Sequence, residues 1–127
     1  MTRLIGACLI GAGLAALLPT GSTFAAGYPV QGKWGQTDSS EKGGVDCAKL
    51  RVISFNGDQR TDSRGGVPAY RNVSVTPDGT KTFKVVDQFT NGQVRDGRVY
   101  YTLQQADDER VEMRLQVGGT IRLRRCK

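Results

Sequence analysis

The chain after its first 26 residues reads as all-β: a small antiparallel meander closed into a barrel of about seven to eight strands, with one disulfide. Three observations predict this. Apolar and polar residues alternate at period two through the last third, where Val99, Tyr101 and Leu103 oppose Arg98, Tyr100, Thr102 and Gln104. Turn chemistry recurs at short intervals, as Pro77-Asp78-Gly79, Asn91-Gly92, Asp96-Gly97 and Gly118-Gly119. Cys47 and Cys126 stand near the two ends of the domain. No segment keeps a helical period over several turns. A sheet with one apolar face must hide that face and its edges. A barrel does both, and a β-sandwich is the runner-up.

Residues 1–26 are set apart because they have the layout of a cleaved secretory signal peptide. Arg3 gives a basic start, residues 4–18 are uncharged and apolar, and Thr23-Phe24-Ala25-Ala26 supplies small residues for a peptidase. Cleavage is expected after Ala25 or Ala26, with Ala26 favoured. The apolar run is shorter than the roughly twenty residues that span a bilayer, which opposes a retained membrane anchor. Ile5-Gly6-Ala7-Cys8 resembles a lipoprotein cleavage box, but it precedes most of the apolar run instead of following it. Cys8 therefore leaves with the signal. The expected product is one domain over 27–127, periplasmic or secreted, with no transmembrane span.

The elements follow in order. Residues 32–36 form a short first strand and 37–46 a polar, Gly-rich loop. A second strand covers 50–55, and 57–66 is polar and turn-rich, as a long hairpin tip would be. Residues 67–75 form the next strand, with Pro68 at its start or on an edge. In the following turn Pro77 presets its φ and Gly79 takes the positive-φ position. The strand over 82–89 places Phe83, Val85 and Phe89 on one side, and Asn91-Gly92 signals a two-residue hairpin. Residues 105–109 turn the chain, after which Val111, Met113 and Leu115 oppose Glu112, Arg114 and Gln116. Finally Ile121 and Leu123 oppose Arg122 and Arg124.

Composition narrows the chemistry. With Cys8 gone, Cys47 and Cys126 are an even pair in an oxidising compartment, so a disulfide is the default. Closing a loop of roughly eighty residues stabilises a domain by about 4 to 5 kcal/mol on chain-entropy reasoning. No Cys-x-x-Cys supports a redox-active pair, and two thiols without histidine do not make a zinc site. The absence of histidine removes Ser-His-Asp and Cys-His catalysis and histidine pH switching. The formal charge of +6 becomes +5 once Arg3 is lost, since residues 1–26 carry no acid. That surplus favours anionic partners, with nucleic acid ranked last for an exported protein.

Gly32-Lys33-Trp34 resembles the Gly-x-Trp opening of the lipocalin-like (calycin) barrels. The resemblance implies that Trp34 sits at the closed end of the barrel under a basic residue of the last strand. Arg122, Arg124 and Arg125 are the residues available there, with Trp34, Arg122 and Arg124 as the barrel-closing set. The layout is also similar to the small periplasmic metalloprotease-inhibitor barrels, in which a free N-terminal segment enters the protease cleft. The matching segment is Gly27-Tyr28-Pro29-Val30, which makes Tyr28 a candidate binding residue. Those inhibitors place their cysteines close together, whereas Cys47 and Cys126 are far apart, and the chain is shorter than a full lipocalin.

Other constellations carry less. Ser39 and Lys42 match Ser-x-x-Lys, but Lys81-Thr82 is followed by Phe83 and the companion motifs are missing. Asn56, Asp58 and Asp62 suggest an oxygen-rich calcium loop, yet Arg60 interrupts it and the ligand spacing is absent. Asp107-Asp108-Glu109 is an acidic turn, and no carboxylate pair is spaced for glycoside hydrolysis. The clearest surface signal is basic. Arg98, Arg114, Arg122 and Arg124 share the outward strand face, Arg125 and Lys127 extend the charge, and Tyr100 lies among them. A solvated barrel exterior partly neutralised by Glu112 is the plain alternative.

These features point to a non-enzymatic binding module without cofactor or metal. A protein-binding inhibitor or tether, aimed at an extracytoplasmic protein such as a hydrolase, comes first. The alternative is a carrier or envelope-associated barrel for a small apolar ligand or an anionic glycolipid. A filled interior is expected from the short chain and its few large aromatics.

Overall fold

The computed structural model describes residues 27–39 and 42–127; the expected signal segment with its cleavage sites, and Ser40 and Glu41, lie outside them. The described chain forms eight strands: β1 (Gly32–Gln36), β2 (Val52–Asn56), β3 (Gln59–Asp62), β4 (Tyr70–Pro77), β5 (Thr82–Phe89), β6 (Gly97–Asp107), β7 (Arg110–Leu115) and β8 (Thr120–Arg125). They pair antiparallel in sequence order, and β8 returns to β1 through Trp34↔Arg125, Gly35↔Arg124 and Gln36↔Leu123. The result is a closed eight-stranded meander barrel, not a sandwich. Among the described residues there is no helix long and apolar enough to cross a membrane.

Two local expectations change. The polar stretch expected as a hairpin tip contains β3, which pairs with β2 from Ile53↔Asp62 to Asn56↔Gln59. Its buried side chains, Arg60 and Asp62, are both charged, so it lacks the apolar alternation that marks a strand. Asn91-Gly92 does not form a two-residue hairpin, because β5 ends at Phe89 and β6 begins at Gly97. Instead the Asn91 side-chain oxygen accepts from the N–H groups of Gln93 and Val94 at 2.8 and 2.7 Å, an Asx-type turn inside a longer loop.

The interior is filled by side chains from around the barrel. Trp34 and Ile53 are fully buried, and Phe55, Val85, Leu103, Val111, Met113 and Leu123 join them. The outer surface of β1 is covered by the disulfide loop. Cys47 and Cys126 are bonded with their Cα atoms 5.6 Å apart. A side chain at Gly35 would meet Cys47 Sγ at 2.6 Å and Leu50 Cδ1 at 2.9 Å, so only glycine lets this loop lie against the wall.

Candidate functional site

Asp87 sits on the inward row of β5 between Val85 and Phe89, with no exposed surface. A lone buried carboxylate would be costly, and here it is surrounded by donors. The Tyr28 and Tyr101 hydroxyls donate to it at 2.9 and 2.7 Å. Arg60 Nε donates at 2.8 Å and Asn72 Nδ2 at 3.4 Å. The Arg60 guanidinium is stacked 3.8 Å from the Tyr70 ring centroid and 5.2 Å from that of Tyr101. Burial, followed by the charge of Asp87, pushes the Tyr28 hydroxyl well above its ordinary pKa. Burial raises that of Tyr101 also, although the Arg60 cation works against it. Burial disfavours the Arg60 cation, and the oxygens of Tyr101 and Asp87 outweigh it. The cluster is buried, with Asn72 Oδ1 left without a hydrogen-bond partner, and its donors converge on Asp87, so it locks the barrel.

Tyr28 reaches this cluster because the N-terminal segment folds in. Expected on a free arm, it is 5% exposed, lies edge-on to Phe55 with centroids 4.9 Å apart, and joins the core with Val30. Its N–H donates to the Gly57 carbonyl at 3.1 Å, and the Gly57 N–H donates to Gln31 Oε1 at 2.8 Å. The segment thus stoppers the barrel beside the β2–β3 turn.

The arginine over Trp34 is Arg125, with its guanidinium 4.5 Å from the indole, and neither Arg122 nor Arg124 takes that place. Alternation along β8 is the reason, since Ile121, Leu123 and Arg125 form one row and Arg122 and Arg124 the other. Trp34 Nε1 donates to the Gln31 carbonyl at 3.0 Å, and Arg125 Nε to that of Asp108 at 3.0 Å. Arg122 is exposed and shares Glu112 with Arg114, at 3.5 and 3.4 Å, and also meets Asp38 at 3.6 Å. Arg124 is only 5% exposed and donates to the Ser39 carbonyl at 3.2 Å. The expected continuous basic stripe is therefore broken at β8.

What remains open is the outer wall of β4 to β7. The rung Thr76–Lys84–Thr102–Arg114 lies beside the rung Ser74–Val86–Tyr100, and Arg71–Gln88–Arg98 comes next. A groove of about 510 Å³ runs across it, lined by Lys84, Val86, Tyr100, Thr102, Arg114 and Gln116. Tyr100 is 47% exposed at its centre. Among the described residues Arg71, Lys84 and Arg98 have no carboxylate within ion-pair distance, and Arg114 meets only Glu112. The sequence shows the Arg98–Tyr100–Arg114 part of this wall; Arg71 and Lys84 are added by pairing across strands remote in sequence.

A larger groove, about 710 Å³, lies beside the disulfide, and its lining mixes Lys33 and Lys127 with Asp46 and Asp62. Asp62 is also held by Arg51 at 2.7 and 2.9 Å. Burial alone would raise the Asp62 carboxyl, yet the Arg51 hydrogen bonds keep it below the usual range. The oxygen-rich loop suggested by Asn56, Asp58 and Asp62 is not assembled, since Asp62 turns to Arg51. Among the described residues no group of three or more His, Cys, Asp or Glu side chains could hold a metal ion. No protein-family model, curated protein or solved structure matches this chain.

Proposed function

We propose that this chain is an exported, non-enzymatic binding barrel that recognises an acidic protein surface through the outer wall of β4 to β7. The observation that carries the reading is the half-exposed Tyr100 in a groove bordered by Lys84 and Arg114, with Arg71 and Arg98 beside it and one nearby acid, Glu112. Tyrosine and arginine are the residue types that dominate binding energy at protein interfaces. Unpaired cations on a rigid wall steer an acidic partner and set its orientation. A stiff barrel with one disulfide also loses little freedom on binding. The disulfide favours an oxidising compartment. The Trp34–Arg125 stack supports the lipocalin-like resemblance, while the folded-in Tyr28 argues against the inhibitor mode in which a free N-terminal arm enters a protease cleft. The filled interior argues against a carrier.

The test is retention of envelope-extract proteins on the purified, tagged protein at low and moderate salt. Tyr100→Ala and Arg98→Glu are compared with Lys33→Glu on the opposite wall. One stoichiometric acidic protein held by the wild type and Lys33→Glu, and lost with the other two, is the expected result. Retention of lipid or glycan alone, or of a protein indifferent to both substitutions, would overturn the reading.

A further inference from the structure

Two buried arginines in this barrel are treated differently. Arg60 has Asp87 at 2.8 Å. Arg124, with its side chain 6% exposed, has no comparable counter-ion, because the nearest carboxylate among the described residues is Glu109 at 3.9 Å. Its Nε is buried without a hydrogen-bond partner. A buried guanidinium is stable only when paired and fully bonded. The register makes this worse, since Arg110 stands directly opposite Arg124 on β7. Like charges at facing positions destabilise a sheet unless something negative lies between them.

A cleft of about 220 Å³ opens at this place, between the segment after β1 and the outer wall of β7 and β8, and Arg110, Arg122 and Arg124 line it together with Thr37 and two acids, Asp38 and Glu112. The acids here leave Arg124 with no close partner, since Glu109 stands 3.9 Å from it and the others turn to Arg110 and Arg122. Asp107 takes Arg110 at 2.8 Å, while Glu112 and Asp38 hold Arg122 at 3.5 and 3.6 Å. Thr37 Oγ1 accepts the Ser39 N–H at 3.1 Å and keeps its own proton to donate.

We propose that this cleft is a phosphate-binding site in which Arg124, with its unpartnered Nε, and the facing Arg110 clamp a phosphate monoester, with Thr37 as a neutral donor. Guanidinium forks match phosphate oxygens in bidentate fashion, and a dianion balances two cations where a carboxylate balances one. The site is independent of the Tyr100 wall, so either can stand without the other.

Calorimetric titration with inorganic phosphate, against chloride at equal ionic strength, tests this. One-to-one binding of phosphate alone is expected, weakened about tenfold or more in Arg124→Met by loss of a charge-assisted contact. Arg124→Met should also leave the phosphate-free protein at least as stable as wild type. Arg110→Gln, whose parent side chain is 55% exposed and so is safe for folding, should weaken binding as well. Vesicles containing phosphatidic acid separate a lipid headgroup from a soluble phosphate: Arg124-dependent binding to them assigns the phosphate to lipid, and binding of the soluble ion alone assigns it to a free monoester. Equal responses to phosphate and chloride, or phosphate binding unchanged in Arg110→Gln, would overturn the proposal.

Discussion

Replacing Asp87 by alanine should nearly unfold this protein. The substitution strands the Arg60 guanidinium, which is 4% exposed and has no other carboxylate within reach among the described residues. Removing one partner of a buried ion pair costs about 3–5 kcal/mol. The Tyr28 and Tyr101 hydroxyls lose acceptors at 2.9 and 2.7 Å, and each orphaned group adds about 1–3 kcal/mol. These terms belong to one network and do not simply add, so about 5 kcal/mol is a fair lower figure. A domain of this size has about 5–15 kcal/mol in total. Urea unfolding followed through Trp34, the single tryptophan and fully buried, gives the assay. With a slope of about 1.5 kcal/mol per molar urea, the midpoint should fall by about 3 M. The double variant Arg60→Met/Asp87→Leu should recover much of that loss, because it removes both charges together. An Asp87→Ala protein within about 1 kcal/mol of wild type at unchanged slope would refute the assignment of the cluster as the lock of the barrel.

Cys47→Ser should lower stability by up to about 4–5 kcal/mol without changing the barrel, as chemical denaturation and circular dichroism would show. Tyr28 and Tyr101 have raised folded-state pKa values, so their contribution is complete below pH about 10 and is lost as pH climbs above it. Stability should then decline by up to about 1.4 kcal/mol per pH unit for each tyrosine, their tyrosinate absorbance should appear only with unfolding, and Tyr→Phe at both sites should flatten the decline. Gly35→Ala should destabilise by about 1–3 kcal/mol, because the added methyl meets Cys47 Sγ at 2.6 Å and neither the disulfide nor the strand can move away easily. A melting curve that matches wild type would show that the loop over β1 yields to the added methyl.

Alternation at period two carries most of the barrel. It places β5 at its observed bounds and the inward rows Val99–Tyr101–Leu103 and Val111–Met113–Leu115 on the core side. It fails where the inward residue is charged. Arg60 hides β3 inside a polar run, and Asp87 interrupts Phe83, Val85 and Phe89, so neither reads as core until the two meet at 2.8 Å. Their partnership spans 27 residues and two strand pairings, which no local pattern encodes. The Arg125 stack is different. The same alternation that turns Arg122 and Arg124 outward puts Arg125 in the row of Ile121 and Leu123, so that contact is implicit in the sequence. The tucked Tyr28 has no such signal, since a segment outside any strand has no period to read.

The proposed function requires a filled barrel that binds from its outer wall. Its most direct test is titration of the protein with a fluorescent fatty acid while Trp34 emission is followed. Trp34 is fully buried among the interior side chains, so anything entering the barrel must disturb it. No saturable uptake and an unchanged Trp34 spectrum are expected. One-to-one uptake with a shift or quenching of Trp34 would contradict it, and would make the interior the binding site.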